Sequence, residues 1–492
     1  MAGVSKRFKT FFRLSPVDDA QTKCFAVQRG EVTGRIDVIF HQPWLRQKLA
    51  QIDLACFPTR YLGETLREIR YGTSTPPPYL PPSFDTVPFI RATDIKDGEI
   101  QLDNLFHISS TQPQKMDKCL LSGSEVIVVR SGANTGDCAV VPPELAGSYA
   151  AYDLILTFNT TAHPKFISYF LDTSIGRLQL NLVRGRSAQP HVNAEEVSSI
   201  RIILPPLLKQ HEFVAAMDEE RSQRRQKLAE ADTLLSSLDE FILNALDISL
   251  PSPDSRKAYA ICLSQMLGER VDAYSNQPYF QKLFATIQSS QHHVTNLGNI
   301  AELIFSGTTP LAKGDAYVDP PNGVRFVRSG EITKEGGVTP SSEVHIREEI
   351  HNEKMKRSQL QRGDLLIAIV GATIGAVGIY DFNEPANINQ AIAAVRISSN
   401  DVLVEYVCWY LRCSLGQRLL DYFKRPVARA NINLTEVGEI PIIIPSQEIQ
   451  KYIIAEVYSR REEARRLRSE AETGWQNAKG WFEEQLLGTA PL

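Results

Sequence analysis

The chain has 492 residues, 43% of them apolar and 22% charged, with a formal net charge of −4. That balance fits a globular protein of two to four domains and argues against a uniformly basic nucleic-acid binder, so any surface for DNA must be a local concentration of positive charge. No stretch approaches the roughly 20 uninterrupted apolar residues of a bilayer span. The seven cysteines (24, 56, 119, 138, 262, 408, 413) form no C-x-x-C pair, which argues against a disulfide framework or structural zinc and leaves them as core residues.

In chain order, "MAGVSKRFKTFFRLS" is basic without the apolar core of a signal peptide, and a cytoplasmic protein is expected. Residues 1–57 read as a leader and the start of a first repeat. Over 58–205 short apolar runs ("EVIVV", "LILTF", "RIILP") alternate with Gly, Pro, Asn and Asp, the pattern of a strand-rich mixed domain. A helix is predicted over 164–181. From 206 to 250 helical spacing takes over, with Val214, Met217, Arg221, Arg224, Leu228, Ala231, Leu235, Leu238, Ile242 and Ala245 forming a heptad-like stripe. Residues 251–294 are a linker and the start of a second repeat. A second strand-rich domain follows over 295–445 ("LLIAI", "AAVRI", "IPIII"), with a helix predicted at 402–423. Over 446–488 the stripe Ile454, Val457, Arg461, Ala464, Arg468, Ala471, Trp475, Ala478 and Phe482 predicts another long helix. Each long helix should run about 38 to 42 residues, roughly 60 Å.

The second half repeats the first. "GRLQLNLVRGRSAQPHVNAEEVSSIRIILPPLLKQHEFVA" (176–215) aligns with "GQRLLDYFKRPVARANINLTEVGEIPIIIPSQEIQKYIIA" (416–455) at a constant offset that pairs Val192-Asn193 with Ile432-Asn433 and Pro205 with Pro445. Upstream, "RIDVIFHQPW" matches "RVDAYSNQPY", "LGETLREI" matches "LGNIAELI", and "VPFIRATDI" matches "VRFVRSGEI". One unit of roughly 235 to 240 residues is used twice. The fold class is α+β: two mixed, strand-rich domains in tandem, each followed by a long helix, as a pseudo-twofold internal repeat. Neither helix can bury its stripe alone, so the two are expected to pair as an antiparallel coiled-coil spacer. The alternative is a helix lying on its own domain, and the arginines at seam positions weaken the coiled-coil reading.

"GDLLIAIVGATIGAVGIY" (363–380) invites a nucleotide-binding reading. However, Gly371, Gly375 and Gly378 do not follow G-x-G-x-x-G, and the β-branched Val377–Tyr380 reads as a returning strand. "GSEVIVVRSGANTGDCAVV" (123–141) has the same strand, G-A-x-x-G turn and strand. There is no P-loop and no H-E-x-x-H. "PPPY" (76–79) and "DPPN" (319–322) each lack one end of a methyltransferase motif and read as rigid turns, and His292 and His293 read as exposed polar residues. No catalytic residue, metal or cofactor is expected on this chain.

Two unlike globular domains joined to matching long helices, with these motifs repeated in order, resemble the specificity subunit of a type I restriction-modification enzyme. The resemblance spans nearly the whole chain. It implies two target-recognition domains, each reading one half of an asymmetric bipartite sequence in double-stranded DNA. It implies helices that set the gap and dock two DNA adenine methyltransferase subunits, here through Met217, Leu228, Leu235, Leu238, Ile242, Val457, Trp475 and Phe482. S-adenosylmethionine is expected on the methyltransferase, and motor-nuclease restriction subunits complete the complex. Alternatives are a specificity subunit of a type IIB or phage-defence methylation system, a fused enzyme, and a duplicated protein-binding adaptor.

Base reading calls for Arg or Lys at guanine and Asn or Gln at adenine. The turn "RSGANTG" offers Arg130, Ser131, Asn134 and Thr135, and its counterpart "VGATIG" offers Thr373. The glycines serve either close approach to a phosphate or the turn geometry alone. The loops before the last strand offer Arg184, Arg186, Gln189 and His191 in "VRGRSAQPH", and Lys424, Arg425, Arg429 and Asn431 in "FKRPVARAN". A solvated polar loop is the alternative. Arg328 with Ser329, and Arg91 with Thr93, end a strand in each domain and are weaker candidates.

Overall fold

The computed structural model describes residues 41–184, 191–252, 258–260, 272–310, 316–340, 342, 344–424 and 430–489. The chain divides into two compact units, one formed by residues up to Leu228 together with those from Ser469 onward, the other by Ala229–Arg468. The division runs through the middle of both long helices.

In the first unit a four-stranded antiparallel sheet has the order Leu66–Tyr71, Leu154–Phe158, Val126–Val128, Cys138–Val140. Its apolar strands bury both faces. Val126 and Val128 enter one core, Ile127 and Val129 the other, as the period of two dictates. A second sheet contains a parallel pair, Thr86–Ile90 beside Tyr149–Ala150. Thr59–Tyr61 pairs antiparallel with Arg201–Ile203, which brings the two ends of the domain together.

The second unit repeats this order with Ala301–Ser306, Ile392–Ile397, Leu365–Ala368 and Val377–Ile379. Its parallel pair is Val324–Val327 beside Ala386–Ile388, and His293–Asn296 closes on Pro441–Ile444. Equivalent polar fixtures recur. Asn193 and Asn433 each cap a short helix in a reciprocal box with Glu196 and Glu436. Gln210 and Gln450, both fully buried, each donate to a proline carbonyl, Pro205 at 2.8 Å and Pro445 at 3.0 Å.

The helices predicted at 164–181 and 402–423 are each two helices. Pro164–Asp172 and Ser174–Arg184 break at Thr173 (φ −67°, ψ 167°), Val404–Arg412 and Ser414–Phe423 at Cys413 (φ −69°, ψ 167°). Gly176 and Gly416 let the second helix fold against the first, because an added Cβ would collide with the backbone oxygen of Phe170 or Tyr410.

The long helices are Leu207–Ala245 (39 residues) and Gln447–Leu487 (41 residues). Within the first unit their segments run antiparallel, with Phe213 against Phe482 (5.5 Å between ring centroids), Arg224 to Glu472 (3.6 Å) and Lys227 to Glu470 (3.1 Å). Within the second, Asp232 meets Arg468 (2.7 Å), Ser237 meets Arg460 (2.8 Å), and Phe241 meets Tyr452 (5.5 Å) around Ala231, Ala464 and Leu467. The stripe read from sequence slips by one residue here: Leu467 is buried, whereas Arg468 is exposed and pairs across the surface. Of the four arginines that weakened the seam, Arg224 and Arg468 pair with carboxylates and the other two are stacked. Arg221 lies over Tyr169 (4.7 Å) and Trp475 (4.8 Å), and Arg461 over Trp409 (4.8 Å), so each spends its charge on an aromatic face.

Of the described cysteines, 119, 138, 408 and 413 are buried as expected and Cys56 is exposed. His293 is exposed, but His292 is half-buried. Among the described residues no helix is long and apolar enough to cross a membrane.

Candidate functional site

The glycine turns are hairpins. Gly132 and Gly136 (φ +95° and +92°) and Gly371 and Gly375 (φ +83° and +92°) occupy the left-handed region that their tight reversal demands. Thr135, only 2% exposed, donates Oγ1 to the Gly132 carbonyl at 2.7 Å. It therefore braces the turn from inside and is corrected as a DNA-contact candidate, since a buried hydroxyl cannot meet a duplex.

In the first unit the turn meets the end of the basic loop. Ser131 bridges His191, and the Val192 N–H donates to the Arg130 carbonyl at 2.9 Å. The Arg130 guanidinium lies over the rings of both Tyr71 (4.5 Å) and Tyr152 (4.4 Å), and its Nε and Nη2 reach His191 Nε2 at 3.2 and 3.0 Å. A guanidinium only donates, so His191 must accept at Nε2 and carry its proton on Nδ1. The Arg130 N–H donates to Asp153 Oδ1 at 3.0 Å. Asp153 is 4% exposed, and burial pushes its carboxyl up to about 6 against the opposing pull of Arg130. Tyr71 is fixed in turn by accepting the Ala194 N–H at 3.0 Å.

The second unit builds the same backbone frame with other side chains. The Ile432 N–H donates to the Ile369 carbonyl at 3.0 Å, and Val370 bridges Asn431. Ile369 stands where Arg130 does and Asn431 where His191 does. Ser306 takes the sheet position of Tyr71, each lying across from the strand residue that pairs with Val128 or Ile367. The connection that carries Tyr152 carries Gln390 here, hydrogen-bonded to Thr309. Gln390 and Asn431 are exposed. Beside Gln390 opens a cleft of about 500 Å³ lined by Thr309, Tyr317, Asp319, Arg328, His345 and Asn389. Arg328, half-exposed, lies 3.7 Å from Glu331.

Ser131, Asn134, Thr373 and Lys424 are half-buried. Lys424 caps the helix Ser414–Phe423, its N–H donating to the Leu420 carbonyl at 3.0 Å. Arg184 ends the helix Ser174–Arg184, but its side chain lies outside the described residues, as do Arg186, Gln189, Arg425 and Arg429. The Arg91 guanidinium is tied to Asp94 by two hydrogen bonds (3.1 and 2.7 Å) and lies over Phe106. Sequence reading missed Tyr71, Tyr152, Asp153 and Gln390, which no local spacing marks. Among the described residues no group of three or more His, Cys, Asp or Glu could hold a metal ion.

The helix residues assigned to docking need correction. Met217, Trp475 and Phe482 are buried in the core of the first unit, Ile242 and Val457 in that of the second, and Leu228, Leu235 and Leu238 are half-buried. Buried side chains of the first five cannot also cover a partner, so docking on these helices would use their outward faces.

The family model described as the type I restriction modification DNA specificity domain matches residues 83–228 and 290–458, one stretch in each unit. The chain belongs to the type I restriction-modification DNA specificity family. It is similar to the type I restriction enzyme EcoBI specificity subunit of Escherichia coli, 31% identical over 141 residues, a match spanning 28% of this chain and 29% of that protein. It is also similar to a chain solved in work on complex assembly and conformational transition of the type I R-M system, at 17% identity and a TM-score of 0.54, covering 88% of this chain and 98% of that one. At that identity the likeness concerns fold alone.

Proposed function

We propose that this chain is the DNA-recognition subunit of a type I restriction-modification complex, each unit reading one half of an asymmetric bipartite target. The observation that carries this reading is one backbone frame dressed with unlike side chains: Arg130, His191, Tyr71 and Tyr152 in the first unit, Ile369, Asn431, Ser306 and Gln390 in the second. A shared frame with different polar tips is what two readers of different half-sites require.

The long helices serve as an antiparallel coiled-coil spacer between the readers. Their outward faces dock two DNA adenine methyltransferase subunits, which carry S-adenosylmethionine, and motor-nuclease restriction subunits join the assembly in the cytoplasm. The chain itself is non-catalytic. The ion pairs along each antiparallel segment support the spacer reading.

Gel shifts with genomic fragments, using this chain with its methyltransferase subunit, test the proposal. Sequence-selective retention that needs both proteins is expected. Methyl transfer by this chain alone, or retention without sequence preference, would contradict it.

A further inference from the structure

Arg130 is held on several sides, yet the frame closes without it. With Ile369 at the same place the second unit keeps the same backbone hydrogen bond, and the Ala391 carbonyl accepts the Ile369 N–H at 2.8 Å where the Asp153 carboxyl accepts that of Arg130. The guanidinium, the imidazole, the two rings and the buried carboxyl are therefore additions to a frame that isoleucine completes equally well.

Together they fix one orientation. The rings of Tyr71 and Tyr152, 4.5 and 4.4 Å from the guanidinium carbon, confine its position, and the two hydrogen bonds from Nε and Nη2 to His191 fix which edge faces the imidazole. The end formed by Nη1 and the second Nη2 hydrogen has no partner among the described residues. That fork of two parallel donors matches O6 and N7 of guanine, while adenine presents a donor where O6 would be. A side chain whose rotamers are already restricted also loses less entropy when it binds.

We infer that Arg130 reads a guanine in the half-site bound by the first unit, with His191, Tyr71 and Tyr152 as positioning residues. The inference rests on the DNA-recognition reading above and names the base that one residue selects. The second unit has no guanidinium at the equivalent place and presents the amides of Gln390 and Asn431 instead.

The test is methylome sequencing of cells that express the chain with its methyltransferase subunits, comparing wild type with R130Q and R130I. Isoleucine is the substitution that the frame accepts in the second unit, which guards against misfolding. In both variants the preference for one G·C pair in one half-site should fall about 10- to 100-fold while every other letter keeps its discrimination. H191A should weaken the same position less, and H191Q, which restores an acceptor, should recover it. Unchanged letters in both Arg130 variants would overturn the assignment, as would a uniform loss of methylation at all letters, the mark of a phosphate or structural role. Absence of any chain-dependent motif in wild type would overturn the recognition reading and this assignment with it.

Discussion

The buried side-chain amide of Gln450 accepts the backbone N–H of Leu403 at 2.9 Å, tying the start of the helix Val404–Arg412 to the second long helix. Its Nε2 donates to the carbonyls of Asp401 (2.9 Å) and Pro445 (3.0 Å). Gln210 does the same in the first unit with His163, Thr161 and Pro205.

Removing either amide leaves several buried backbone groups without partners. Gln450→Ala and Gln210→Ala should each cost about 2–4 kcal/mol in denaturant unfolding. A cost below about 0.5 kcal/mol would show that water replaces these bonds without loss.

Asp153 gives a pH signature. Its folded pKa of about 6 lies above the unfolded value near 3.9, so the stability tied to this group is fully present below about pH 4 and is lost as pH rises through about 6. Asp153→Asn keeps an oxygen to accept the Arg130 N–H and removes the buried charge. It should be more stable than wild type by about 1–3 kcal/mol at pH 7.5 and indistinguishable at pH 4. Equal destabilisation at both values would contradict this.

The stacked arginines should matter through packing as much as charge. Arg461→Ala removes the guanidinium from the Trp409 face and should cost about 1–2 kcal/mol, with Arg461→Met recovering part of it. Thermal unfolding at low and high salt checks this: a loss abolished entirely by salt would mean that charge alone was at work.

Much of the frame was legible because it is local. Asn193 and Asn433 each precede a glutamate by three residues, and glycine four residues apart between apolar strands marks a hairpin. Of the site, Arg130 and His191 were legible as polar loop residues, but their meeting with each other and with Tyr71 and Tyr152 was not, because these four come together only after distant strands pair, and sequence spacing carries no trace of that pairing. The slip from Leu467 to Arg468 has a local cause. Either residue continues a three-four spacing, and only the ion pair to Asp232 shows that the arginine faces outward. Thr135 was misread because a hydroxyl beside glycines suits both a phosphate contact and a turn brace.

As a spacer, the helix pair should tolerate lengthening by near-whole turns. Four residues inserted after both Leu228 and Arg468 add about 6 Å of rise and roughly 400° of rotation, nearly preserving the seam. The unspecified gap should grow by about one or two base pairs at ~3.4 Å each, with both half-sites intact. Altered half-site letters with an unchanged gap would mean that the helices are not the spacer.

The central claim, that two unlike readers on one chain define two halves of one target, is tested most directly by exchanging residues 58–205 for the matching segment of a relative and sequencing the methylome with the methyltransferase subunits present. The account predicts that one half-site changes while the other half and the gap stay as in wild type. Changes in both halves, or in neither, would contradict it.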